Sequence, residues 1–332
     1  MPDAVDPAAR ISAIPCKGKL VAVDFKSVVL LAVIRNRGNH PILCLPVWGE
    51  LGMELGVLGP LSVRVGSNFT VPSAPKLRNV LATLLVHADQ VVPVSALIKE
   101  LWDDEPPLSG LTTLQTYILN LRKTFVAATC MPATEVAKSI LVTQVGGYMF
   151  STGGGTLDIH EYHRLVADGR EALSTGDDRT AVRLLNEALR LWRGPALVDV
   201  PMGRILESKR RQFEESRLVV LEYLVDAELR LGMHREVLTE LAALTAENPL
   251  HEGLHTQYMR ALHLSGRRAQ ALEVFHRLRG NLVGELGLEP ELPTQRVHQA
   301  ILNSQTDFED LRLSRPLGEI VRTSAWGSVR PY

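Results

Sequence analysis

Cysteine is scarce: Cys16, Cys44 and Cys130 are the only three in 332 residues. Odd in number and far apart, they form neither a CxxC pair nor a disulfide framework, which suits a reducing cytosol. Long apolar runs are missing too. The longest, Val28 to Ile34, lies between Lys26 and Arg35, far short of the ~20 residues that a membrane-spanning helix needs. Asp3 and Asp6 precede any basic residue, which argues against a signal peptide. No membrane partner is expected, and the chain reads as cytoplasmic. A GxxxxGK[ST] loop is also absent, and Gly153–Gly155 has no following lysine, so a nucleotide switch of that type is excluded. The net charge of −1 gives no whole-chain reason for a polyanionic partner. A nucleic-acid role must therefore rest on local features.

What remains is a globular composition, 45% hydrophobic and 22% charged, long enough for two domains with their own cores. Four stretches separate on pattern. Residues 1–52 carry scattered Pro and Gly and no helix of convincing length. Residues 53–150 mix short strand-like runs with three helical patterns. Residues 157–303 are helical almost throughout, and residues 304–332 turn polar and irregular.

Met53–Val65 reads as two strands broken at Gly59-Pro60. Pro75 opens a helix with Leu77, Val80, Leu81, Leu84 and Leu85 at helical spacing. A turn near His87–Gln90 ends it, and a second helix follows from about Val94 to Trp102, with Leu97, Ile98 and Leu101 inward. The acidic, proline-containing Asp103–Pro107 segment forces a break. Ser109 then stands where it can cap a third helix reaching about Phe125. Ile140–Val145 and Tyr148–Phe150, around Gly146-Gly147, predict a β-hairpin. Three helices and a hairpin make a winged helix-turn-helix with an extra N-terminal sheet. The predicted fold class is mixed: this α+β domain, then an all-α tetratricopeptide-like repeat domain.

The repeat shows as a glycine followed five residues later by Ala or Val, then a large apolar residue at +4, then a residue at +3. It reads Gly176, Ala181, Leu185, Ala188; Gly232, Val237, Leu241, Leu244; Gly266, Ala271, Phe275, Leu278. The last two glycines lie 34 residues apart, the tetratricopeptide period. Helix pairs of this kind bury their faces only by stacking.

In the third helix, Leu111, Leu114, Ile118, Leu121 and Phe125 are the expected core anchors. The opposite face offers Thr112, Thr113, Thr116, Asn120 and Lys123, with Arg122 at its shoulder and no acid between Ser109 and Phe125. Thr and Asn side chains suit base edges in a major groove, and Arg122 and Lys123 suit phosphates. The bland alternative is an ordinary solvated face. Residues 53–150 carry seven basic and seven acidic side chains, so the domain is neutral, although its acids gather ahead of the third helix.

The strand MELGVLGPL (Met53–Leu61), LIKELW (Leu97–Trp102), LQTYILNLR (Leu114–Arg122) and Gly147-Tyr148 resemble an OmpR-type winged helix. LRLWRGPAL (Leu189–Leu197), Asn248–Leu250 and GELGLEP (Gly284–Pro290) resemble a bacterial transcriptional activation domain. Together and in order, they resemble the SARP family of actinobacterial antibiotic-pathway regulators. That resemblance implies a pathway-specific activator of a biosynthetic gene cluster that binds direct repeats near promoters in double-stranded DNA, as a homodimer on DNA, and recruits RNA polymerase holoenzyme. It makes the third helix the recognition helix and gives the DNA role to Thr112, Thr113, Thr116, Asn120, Arg122 and Lys123, with Arg78 as a further phosphate contact. Where the family's wings carry an arginine before Gly-Tyr, this chain has Gln144, the candidate wing contact. Met53 stands where family members tend to begin, so 1–52 is read as a poorly structured extension or a misassigned start, and 304–332 as a flexible tail. No receiver-like segment stands ahead of the winged helix, and control by an attached phosphorylated domain is not expected. The implied localisation is cytoplasmic, at the nucleoid, with no enzymatic activity, cofactor or metal.

Two other readings stand beside this one. The repeats suit a protein-interaction adaptor with a degenerate winged helix. His251-Glu252-Gly253-Leu254-His255 matches HExxH, in which two histidines ligate zinc and the glutamate activates water. The expected buried stripe Leu250, Leu254 and Tyr258 would put these histidines near the exposed edge, without a third ligand. His160 and His163 open the first helix of the second domain and suggest nothing more.

Overall fold

The computed structural model describes residues 52–304 and the backbone of 15–16 and 19–20. Two compact units divide the chain, residues 1–50 and 51–332. In the first, β1 (Pro15–Cys16) pairs antiparallel with β2 (Lys19–Leu20). The remainder of the extension and the tail beyond residue 304 lie outside the described residues.

In the second unit, β3 (Met53–Gly56) and β4 (Ser62–Val65) pair antiparallel across the predicted Gly59-Pro60 break. A short β5 (Asn68–Phe69) extends that ribbon. Next come α1 (Pro75–Leu85), β6 (Val92–Pro93) and α2 (Val94–Trp102). They are followed by α3 (Gly110–Thr129) and α4 (Ala133–Ser139), then by β7 (Leu141–Gln144) and β8 (Gly147–Phe150). The hairpin β7–β8 takes β6 as its third strand, in the order β6-β8-β7. After it the chain returns to the N-terminal sheet. There β9 (Thr156–Leu157) lies parallel to β3, completing the order β5-β4-β3-β9. The winged helix is thus closed by a strand just ahead of the repeats.

Several local expectations are corrected. Ser109 is at the cap position of α3 but makes no side-chain cap bond, and α3 continues to Thr129. Leu111 is 49% exposed; the core face is Leu114, Ile118, Leu121 and Phe125, all buried. The hairpin turn is Val145-Gly146, with Gly147 inside β8. Helix α4 was not foreseen.

The helical stretch is α5 (Asp158–Ser174), α6 (Asp178–Arg190), α7 (Arg204–Arg230), α8 (Leu238–Glu247), α9 (Glu252–Leu264), α10 (Arg268–Leu286) and α11 (Leu292–Leu302). The repeat signature has a plain geometric cause. Gly176, Gly232 and Gly266 follow the ends of α5, α7 and α9 with φ of 78°, 81° and 79°, the left-handed region that ends helices. Each motif closes with the same backbone pair: Asp177 N–H to Ala172 carbonyl, Met233 to Glu228 and Arg267 to Leu262, at 2.8–3.0 Å. The partner positions Ala181, Leu185, Val237, Leu241, Ala271 and Leu278 are almost fully buried.

One apolar cluster runs from the N-terminal sheet through the four winged-domain helices into α5, α6 and α7. It joins Leu55, Val57 and Leu58 to Tyr162, Trp192 and Leu197. The two domains thus share a core, and hydrophobic burial acts across their junction. Two smaller clusters fill the later repeats.

Candidate nucleic-acid interface

Helix α3 packs on α1, α2 and α4 through its buried stripe. The other side is open: Thr112, Gln115, Thr116, Leu119 and Lys123 are exposed, while Thr113 and Asn120 are half-buried on the flank. The repeat domain does not cover this face. Gln115 and Leu119 lie on the same exposed face, and the sequence reading passed over them. Their spacing of 3–4 from Thr112 and Lys123 was the available signal. The Thr116 hydroxyl donates to the Thr112 carbonyl at 2.9 Å, a bond within the helix.

Arg122 has a different task from the predicted one. Its guanidinium donates to the Leu141 carbonyl through Nε (3.0 Å) and Nη2 (2.7 Å), and to Thr143 Oγ1 at 2.8 Å. Burial pulls its pKa below the ordinary arginine value, opposed by Tyr148. Arg122 therefore fastens the wing strand β7 to α3. Lys123, one residue on, is exposed. At the wing, Thr143, Gln144 and Val145 are all exposed, Val145 completely so.

Arg78 is also engaged elsewhere. It donates to Asp199 Oδ2 at 2.7 Å, and Asp199 in turn accepts the Leu61 N–H at 2.8 Å. The phosphate role expected of Arg78 gives way to a contact at the domain junction. That junction is held by further polar pairs. The Asp158 carboxylate, at the start of α5, accepts the N–H groups of Val57 and Leu58 and pairs with Arg193 at 3.1 Å. Burial nevertheless pushes its pKa up. The Arg193 backbone bonds to the Leu58 carbonyl and Leu197 to that of Gly59. Gly59 has φ 138°, and a Cβ there would meet Arg193 Cβ at 2.9 Å. Arg204 of α7 pairs with both Asp103 and Asp104, so the acids ahead of α3 are partly neutralised by the second domain.

The HExxH segment is structural. His255 is buried, not at an exposed edge, and its Nδ1 donates to the His251 carbonyl at 3.0 Å. His251 caps α9 by accepting the Leu254 N–H. The Glu252 carboxylate accepts the Glu291 N–H (2.8 Å) and the Thr294 hydroxyl (2.7 Å), which fastens α11 to α9. Among the described residues, no group of three or more His, Cys, Asp or Glu is arranged to hold a metal ion, and no helix is long and apolar enough to cross a membrane.

Residues 69–158 match the family described as "Transcriptional regulatory protein, C terminal", and residues 157–302 match "Bacterial transcriptional activator domain". Regulatory protein DnrI of Streptomyces peucetius is 44% identical over 257 residues, covering 77% of this chain and 94% of that protein. The chain belongs to the SARP family. Transcriptional regulator RedD of Streptomyces coelicolor is 36% identical, with 75% and 70% covered. The solved structure of Mycobacterium tuberculosis EmbR in complex with a low-affinity phosphopeptide superposes with a TM-score of 0.71 at 31% identity, covering 76% of this chain and 66% of that one. This SARP member is a DNA-binding transcriptional activator of the antibiotic-pathway class, with the winged helix preceding the helical activation domain. Its family membership speaks for a regulatory role and not an enzymatic one.

Proposed function

We propose that α3 enters the major groove of promoter DNA, with Thr112, Thr113, Thr116 and Asn120 at base edges and Lys123 on a phosphate. Gln144 at the wing contacts the neighbouring backbone, a weaker anchor than an arginine would be. The observation carrying this reading is the open polar face of α3, with the recognition positions uncovered by the repeats. The working division assigns 53–150 to DNA binding and 157–303 to activation, flanked by 1–52 and 304–332.

Two protomers on direct repeats would set their α3 helices about one helical turn apart, ~10–11 base pairs. The repeat domain would contact the partner protomer and RNA polymerase holoenzyme, and the protein would act in the cytoplasm at the nucleoid. Because the winged domain shares a core and several ion pairs with α5, α6 and α7, α3 should be held rigidly against the first repeats. Spacing tolerance should therefore be narrow.

Filter binding to promoter duplexes from adjacent biosynthetic operons tests the docking at low and moderate salt. Asn120→Ala is expected to lower discrimination between specific and unrelated duplexes by about tenfold. Retention of neither duplex at low salt would favour the adaptor reading instead.

A further inference from the structure

We propose that Leu119, together with the methyl group of Thr116, forms an apolar patch that reads the C5-methyl of thymine, so that the preferred half-site carries T·A at the centre of the α3 footprint. This rests on the docking of α3 proposed above.

Leu119 is 52% exposed on the side opposite Leu114, Ile118, Leu121 and Phe125. Lone exposed leucines are common on protein surfaces, but this one sits amid the groove-facing positions. Thr116 precedes it by three residues and Lys123 follows by four, so all three share one face of the helix. The Thr116 hydroxyl proton is already donated to the Thr112 carbonyl. With that proton engaged the hydroxyl can only accept, so it offers nothing to a base acceptor, and the side chain presents its methyl beside Leu119. Leu119 and the Thr116 methyl therefore form a small apolar patch on the recognition face, flanked by Gln115, Thr112 and Lys123.

The major groove displays one apolar group, the thymine methyl. Setting Leu119 against it removes both from water, whereas a cytosine amino group or guanine O6 there would lose water without gaining a partner. Burying a single methyl is worth about fourfold in affinity.

The test begins with duplexes selected from a randomised library by the full chain. In the best duplex each thymine is then replaced in turn by deoxyuridine, which removes only the methyl. Wild type, Leu119→Ala and Lys123→Ala are compared, with thermal melting to confirm that the exposed Leu119 tolerates alanine. At one or two thymines, deoxyuridine should weaken wild type about fourfold and leave Leu119→Ala unchanged. Lys123→Ala should bind every duplex more weakly yet keep the wild-type thymine profile. If Leu119→Ala keeps that profile while Lys123→Ala still weakens binding uniformly, the thymine patch is wrong and the docking survives. If neither variant alters affinity, or the library yields no preferred duplex, the docking fails and takes the patch with it.

Discussion

The Glu100 carboxylate, on the second helix of the winged domain, accepts the Ile205 N–H at 2.7 Å. Ile205 lies in the first turn of α7, 105 residues away, in the activation domain. Glu100 also takes the N–H groups of Gly203 (2.7 Å) and Leu206 (3.4 Å) and receives Asn79 Nδ2 at 3.3 Å. A buried acid from one domain thus caps a helix of the other, meeting both the unpaired N–H groups and the positive end of the helix dipole.

Removing it should be costly. Glu100→Ala is expected to lower unfolding stability by about 3 kcal/mol, because buried donors lose their acceptor, and Glu100→Gln by less. A shift in the urea midpoint measures this. A Glu100→Ala midpoint equal to wild type would show that the cap contributes nothing to holding the domains together.

Arg122 and Lys123 are neighbours in sequence with opposite expected phenotypes. Arg122→Ala leaves the Leu141 carbonyl without its donors and should cost about 1–2 kcal/mol of stability, with faster amide exchange along β7. Lys123→Ala should leave stability within ~0.5 kcal/mol while reducing the slope of log affinity against log salt by about 1. A matching salt slope in wild type and Lys123→Ala would remove the phosphate contact from Lys123.

The Glu228 carboxyl is pushed up from the ordinary value of 4.5 to about 7 by burial, with Glu240 and Glu236 adding repulsion. The folded state therefore holds a proton that the unfolded chain releases near pH 4.5. Stability should be greater at low pH on this account and decline as pH rises from about 4.5 to about 7, then level off. Glu228→Gln should raise the melting temperature at pH 8 and have little effect at pH 4. The reverse order would show that the acid is solvated and normal.

His251 and His255 lend themselves to metal analysis of the purified chain. Both Nδ1 atoms serve the helix backbone and Glu252 binds α11, so stoichiometric zinc is not expected. One zinc per chain, lost in His255→Ala, would restore the hydrolase reading.

Much of the fold was legible because it follows local rules. The 3–4 spacing of Leu114, Ile118, Leu121 and Phe125 defined the buried side of α3. Pro75 marked a helix start, and Gly176, Gly232 and Gly266 marked the repeat. Leu111 misled because spacing alone does not say where a buried stripe stops at a helix end. Two of the family segments, GVLGP near residue 58 and WRGPAL near residue 195, were readable separately as motifs. That they bond to each other was not.

By itself, then, the sequence determined the helices, the wing, the repeat period and the polar face of α3, since each depends on residues within a few positions of one another. Tertiary structure alone decided what the charges do. It sent Arg78 to Asp199 across 121 residues, Arg122 to the wing across 19 and Glu100 to α7 across more than 100. A charged side chain gives no periodic sign of its partner, because an ion pair or a cap needs only two groups meeting in space, and where they meet is set by how the apolar faces pack.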